Sequence, residues 1–65
     1  MNKLRVIRKA RDLTQDELAY FTGYSQTLIS LIECDAYPSR VSDVARERFA
    51  RVLRVHVRDI WPEDE

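Results

Sequence analysis

The stretch TQDELAYFTGYSQTLISLIE, residues 14–33, decides the fold of this chain. It opens with Thr14 and carries a glutamate three residues later, Glu17, which is the spacing of a helix capping box. The only glycine of the chain, Gly23, stands where a helix would end in a residue of positive φ. Ser25 follows as the N-cap of a further helix. The stretch therefore predicts two short helices joined by a tight turn.

Apolar residues recur at helical spacing on both sides of this stretch, and no alternation of apolar and polar residues is long enough to favour a strand. Leu4 and Ile7 mark a helix before it, with Asn2 as its candidate N-cap, and Phe49 and Leu53 mark a longer helix after it. We predict an all-α chain with helices at about residues 2–11, 15–22, 26–33, 43–54 and 57–61.

None of these helices is long enough to be stable alone, so all of them must share one core. The residues predicted to form that core are Leu4, Ile7, Leu18, Ala19, Ile29, Ile32, Phe49, Val52, Leu53 and Ile60. Val44 and Ala45 are predicted to lie on the same inward face of the fourth helix as Phe49. The acidic residues 63–65 are predicted to be frayed.

Length and composition exclude several classes of protein. The chain has 65 residues, with 11 Lys and Arg against 11 Asp and Glu, so its formal net charge is zero. This length allows one domain, residues 1–65, and is too short for a deep catalytic cleft. One cysteine cannot form an internal disulfide, and no apolar run approaches the ~18 residues of a membrane span. We expect a cytoplasmic protein that is not an enzyme and has no cofactor and no metal site.

Two short helices joined by a turn at a glycine form a candidate helix-turn-helix, whose second helix can enter the major groove of DNA. At the same positions the chain resembles the phage repressor and Cro-like family of helix-turn-helix DNA-binding domains. The resemblance implies a compact five-helix bundle like that of lambda repressor, in a bacterial or phage-encoded protein. The residues that carry it are Arg8, 14–19, Gly23, Ser25, Ile29, Glu33 and Pro38, with a weaker match over 49–60.

The resemblance also implies roles for single residues. The residues at the family's base-reading positions are Gln26, Thr27, Ser30 and Leu31. Glutamine can bind adenine through two hydrogen bonds, and a leucine offers only apolar contact, for example to a thymine methyl. The candidates for phosphate contact are Thr14, Gln15, Ser25, Arg5 and Arg40. Arg8 and Glu33 match an ion pair that ties the first helix to the end of the third.

The distribution of charge departs from the family pattern. No lysine or arginine occurs between Arg11 and Arg40, so positive charge is confined to residues 1–11 and 40–58. The zero net charge therefore does not exclude DNA, but it lowers the expected non-specific affinity. Arg54 replaces the glycine that the family usually has after the fourth helix, so we expect it to need positive φ.

Two functions follow as hypotheses. The first is a sequence-specific regulator of transcription, of repressor or Cro type, that binds a pseudo-palindromic operator in double-stranded DNA as a homodimer. Trp61 is then either a lid on the core or an anchor of that dimer. The alternative is a protein-interaction module of the same fold. Its contact patch would be the apolar set Tyr20, Phe21, Tyr24, Leu28 and Leu31, unless Phe21 and Tyr24 are buried at the helix junction.

Overall fold

Residues 2–62 are described by the computed structural model, and they form five helices and no strand. The helices are α1 (Leu4–Ala10), α2 (Gln15–Thr22), α3 (Gln26–Glu33), α4 (Asp43–Leu53) and α5 (Val57–Ile60). The predicted all-α class is confirmed for this range. No helix within it combines the length and the apolar character that crossing a bilayer requires. The predicted fraying of residues 63–65 lies outside the described residues.

Three helices begin or end away from their predicted positions. α1 begins at Leu4 instead of residue 2, and Lys3 holds its N-cap position without a side-chain hydrogen bond. Asn2 still provides a hydrogen-bond acceptor for the first turn of α1, because its Oδ1 accepts from the backbone N–H of Leu4 at 3.0 Å. α1, α4 and α5 each end one residue earlier than predicted, since the next residue of each already takes a non-helical C-cap geometry.

The caps around the central turn are confirmed. The Thr14 hydroxyl accepts from the N–H of Glu17 at 3.0 Å, and the Glu17 carboxylate accepts from the N–H of Thr14 at 2.8 Å. Gly23 ends α2 with φ of 81°, in the left-handed region that glycine tolerates best. The Ser25 hydroxyl accepts from the N–H of Leu28 at 3.1 Å and starts α3. These short-range hydrogen bonds fix where both helices begin and end.

The predicted core is largely confirmed. Seven of its members are almost fully buried: Leu4, Leu18, Ile29, Ile32, Phe49, Leu53 and Ile60. Ile7, Ala19 and Val52 lie partly buried at its margin, and Val41, Ala50 and Trp61 join it. Val44 was predicted on the inward face of α4, and this is wrong, because 69% of it is exposed. Ala45 and Phe49 face the core, and Val44 is turned about 100° around the helix from Ala45.

Trp61 acts as a lid on the core. It is 5% exposed, and its ring lies 6.3 Å from the ring of Phe49. The guanidinium carbon of Arg46 lies over the indole ring, 4.8 Å from its centroid. Little ring surface remains for an interface, so the structure favours the lid over the dimer anchor.

Arg54 ends α4 in the left-handed region, with φ of 60°. This backbone costs a residue with a Cβ about 1–2 kcal/mol, whereas glycine adopts it freely but loses more entropy on folding. We expect Arg54→Gly to raise the free energy of unfolding by about 0.5–1 kcal/mol, measured by urea denaturation at a protein concentration where every variant is monomeric. Arg51→Gly is the control, because it places glycine inside the last helical turn and should lower stability by about 1 kcal/mol. A variant Arg54→Gly no more stable than the parent protein would contradict strain at this position.

Candidate nucleic-acid interface

The residues predicted to contact bases lie together on one side of α3. A shallow surface depression of about 280 Å³ is lined by Gln15, Gln26, Thr27, Ser30 and Leu31, and we call this surface the α3 face. Gln26 and Thr27 are exposed, and Leu31 is 37% exposed. The α3 face therefore unites the four base-reading candidates with one of the candidates for phosphate contact.

The orientation of α3 follows from its buried stripe. Ile29 and Ile32, three residues apart, are almost fully inaccessible to solvent. Their burial turns the opposite side of a helix of eight residues outward. An α-helix with its side chains is about 10–12 Å in diameter, which fits the roughly 12 Å width of the DNA major groove.

A buried ion pair connects α1 to the last residue of α3. Arg8 donates from Nε to Glu33 Oε2 at 2.6 Å and from Nη2 to Glu33 Oε1 at 3.2 Å. The two side chains are only 8% and 2% exposed, so each charge depends on the other for its solvation. Arg8 also donates from Nη1 to the carbonyl of Leu13 at 2.6 Å, which ties the connection after α1 to the same pair.

The hydrogen bonds continue from this ion pair to the α3 face. Gln15 donates from Nε2 to Glu33 Oε1 at 3.0 Å, and Gln26 donates from Nε2 to Gln15 Oε1 at 3.3 Å. A carboxylate only accepts hydrogen bonds, so Glu33 dictates which end of the Gln15 amide faces it. Gln15 in turn presents its oxygen to Gln26 and so orients the second amide.

Two positioning contacts were not anticipated from the sequence. Arg48 donates to the carbonyl of Thr22 at 3.2 Å, and its guanidinium lies 5.3 Å from the ring of Tyr24, so it braces the turn between α2 and α3. Asn2 donates from Nδ2 to the carbonyl of Ile32 at 2.7 Å and to Asp35 Oδ1 at 3.0 Å, so it holds the end of α3. No local pattern marks either residue, because each contact joins distant parts of the chain.

The other candidates for phosphate contact lie outside the lining of the α3 face. Thr14 and Ser25 use their hydroxyl oxygens as acceptors in helix caps, which leaves each O–H free to donate. Arg5 is exposed on α1. Arg40 forms an ion pair with Asp43 at 3.0 Å, and both side chains are largely exposed. Arg40 therefore brings less net positive charge than its sequence position suggested.

The apolar patch proposed for a protein partner is divided by the structure. Tyr24 and Leu28 pack against the core, and Leu31 belongs to the α3 face. Tyr20 and Phe21 remain 83% and 58% exposed, with their rings in edge-to-face contact at 5.4 Å. Of the two alternatives, packing at the helix junction therefore holds for Tyr24 and is wrong for Phe21, because α2 turns Leu18 and Thr22 toward the core.

Neither a protein-family model nor a curated protein matches this chain. Its function is therefore inferred from the geometry of the α3 face and the hydrogen bonds behind it.

Proposed function

We propose that the protein is a sequence-specific regulator that binds double-stranded DNA, with α2 and α3 as a helix-turn-helix of repressor or Cro type. The observation that carries the proposal is the continuous chain of contacts from the buried Arg8–Glu33 ion pair through Gln15 to Gln26. These contacts orient the exposed amide of Gln26 at the start of α3, on the α3 face. Groups oriented before binding lose less entropy when they meet a base.

The chemistry of the α3 face suits base edges in the major groove. Gln26 uses one Nε2 hydrogen on Gln15, and within residues 2–62 nothing donates to its Oε1. The remaining N–H and the oxygen match N7 and the N6 amino group of adenine. Thr27 and Ser30 supply hydroxyls that both donate and accept, and Leu31 supplies methyl groups for a thymine.

The charge distribution sets what the phosphate contacts can contribute. The 28 residues between Arg11 and Arg40 hold no lysine or arginine, so α2 and α3 bring no formal positive charge. The remaining phosphate donors are the hydroxyls of Thr14 and Ser25, the Gln15 amide and the peripheral arginines Arg5 and Arg40. Weak non-specific attraction places more weight on base contacts and on binding two half-sites as a homodimer.

The proposal is tested by selecting bound duplexes from a random library and measuring the affinity of Gln26→Ala for the enriched motif. We expect that variant to bind about 5- to 150-fold more weakly, because one bidentate base contact contributes about 1–3 kcal/mol. The dependence of affinity on salt should stay unchanged, since Gln26 neutralises no phosphate.

Gln26→Glu is the matched variant, of nearly the same shape. A carboxylate accepts from the cytosine amino group and cannot donate to adenine N7, so repeated selection should change the preferred base at one position. If no motif is enriched from the library, the result would contradict sequence-specific DNA binding and leave the protein-interaction module as the better hypothesis.

A further inference from the structure

We propose that the surface between α2 and α4 is the interface of a two-fold symmetric homodimer in which the two α4 helices run antiparallel. The proposal rests on the proposed function for its biological use, because it names the surface that would join two operator-binding copies. Its evidence is independent of the α3 face.

The surface is one continuous groove. Two depressions of about 480 and 650 Å³ lie side by side, and both are lined by Phe21, Arg51 and Val52. We call them together the α2–α4 groove. Val44 lines the first depression and is 69% exposed. Tyr20, which is 83% exposed, contacts the ring of Phe21 beside the groove. Exposed aromatic and aliphatic side chains grouped in this way are typical of surfaces that are covered by a partner.

The charges along the exposed side of α4 identify the partner. Asp43, Glu47 and Arg51 follow one another at spacings of four residues, so they form one stripe along the helix. Arg54, the C-cap of α4, adds a further positive charge at its C-terminal end. The stripe is acidic in its first half and basic in its second half. Within residues 2–62, neither Glu47 nor Arg51 forms an ion pair with another side chain.

A second copy complements this stripe when its α4 runs in the opposite direction. The two-fold axis then lies between Glu47 and Arg51, so each Glu47 faces the partner's Arg51 and each acidic end faces a basic end. Both copies use the same patch, as a two-fold symmetric interface requires. Asp43 already pairs with Arg40, so Glu47 and Arg51 carry the charges that need a partner. An acidic peptide would suit Arg51 and Arg54 but would be repelled by Glu47, whereas a second copy satisfies both signs of charge.

The proposed interface leaves the α3 face accessible. No residue that lines the α2–α4 groove also lines the depression around Gln26 and Thr27. Both copies therefore keep their α3 faces free while the groove is covered. The buried Trp61 takes no part in this interface.

Charge exchange tests the interface without DNA. Sedimentation equilibrium is measured for the parent protein, for Glu47→Arg, for Arg51→Glu and for an equimolar mixture of these two variants. We expect a dimer of the parent protein at tens of micromolar. Each variant alone should dimerise at least about tenfold more weakly, because like charges then face each other across the axis. The mixture should regain the dimer, since one copy then carries two arginines and the other two glutamates at the facing positions.

Native mass spectrometry shows whether the dimer in the mixture contains one copy of each variant, and circular dichroism shows that both variants are folded. Three results would overturn the proposal: a monomeric parent protein at tens of micromolar, variants that dimerise like the parent, or a mixture that stays monomeric. Gln26 lies outside the α2–α4 groove, so the variant Gln26→Ala should dimerise like the parent protein. Loss of sequence-specific DNA binding and loss of the dimer are therefore separate outcomes.

Discussion

Arg8→Ala is expected to lower the free energy of unfolding by about 3–5 kcal/mol. The substitution leaves the Glu33 carboxylate, whose side chain is 2% exposed, without the guanidinium that balances its charge. It also removes the hydrogen bond to the Leu13 carbonyl, which closes the connection after α1. Domains of this size have a total stability of roughly 3–10 kcal/mol, so the variant should lose about a third or more of its stability.

Urea denaturation followed by circular dichroism measures this loss, and Arg5→Ala is the matched control. Arg5 lies on the same helix and carries the same charge, but it is exposed, so its removal should change stability by less than about 0.5 kcal/mol. Arg8→Lys should fall between the two, because it keeps the positive charge and loses the paired geometry of the guanidinium. Equal stability of the alanine variants at positions 8 and 5 would show that the ion pair carries no structural role.

The bounds of α2 and α3 could be predicted to the residue because their signals are local. Thr14 and Glu17 cap each other, Gly23 ends a helix, and Ser25 starts the next, and each of these signals joins residues no more than four positions apart. The end of α1 carries no such signal. Asp12, just after it, takes φ of 57°, which a sequence pattern does not mark for a residue other than glycine.

The differences between predicted and observed burial have one physical cause. Helical periodicity identifies an apolar side of a helix, but it does not identify which flanking positions the neighbouring helices cover. Val44 lies beside Ala45, which is correctly predicted to face the core, and Phe21 lies beside Thr22, which is buried. Both Val44 and Phe21 face the α2–α4 groove. An apolar residue next to a buried position can therefore belong to the surface although its spacing favours the core.

The positions of the α3 face and the Arg8–Glu33 ion pair followed from the resemblance, and the structure confirms the ion pair. The other contacts that orient the face did not follow: Gln15 and Glu33 are 18 residues apart, and Arg48 reaches Thr22 across 26 residues. Contacts at such separations depend on how the helices pack, which the sequence pattern does not specify. The assignment of Gln15 to phosphate contact likewise overlooked its position between Glu33 and Gln26.

Phe49→Ala is expected to lower the free energy of unfolding by about 3–5 kcal/mol, the usual loss for truncating a fully buried phenylalanine. Phe49 is 0% exposed and lies at the meeting point of three elements. Its ring packs at 5.3 Å from Tyr24, in the turn between α2 and α3, and at 6.3 Å from Trp61, after α5. The cavity left by alanine would remove both aromatic contacts and the support beneath the turn that places α3.

Phe21→Ala provides the matched comparison, because it is the same substitution at a ring that is 58% exposed. Measured by urea denaturation at a protein concentration where every variant is monomeric, it should cost less than about 1 kcal/mol. Phe49→Leu should fall between them, since it keeps most of the buried volume and loses the ring contacts. If the two alanine variants were equally stable, the aromatic cluster around Phe49 would not be the centre of the core. If instead only Phe49→Ala unfolds at a lower urea concentration, the turn before α3 depends on a side chain that is far from it in the sequence.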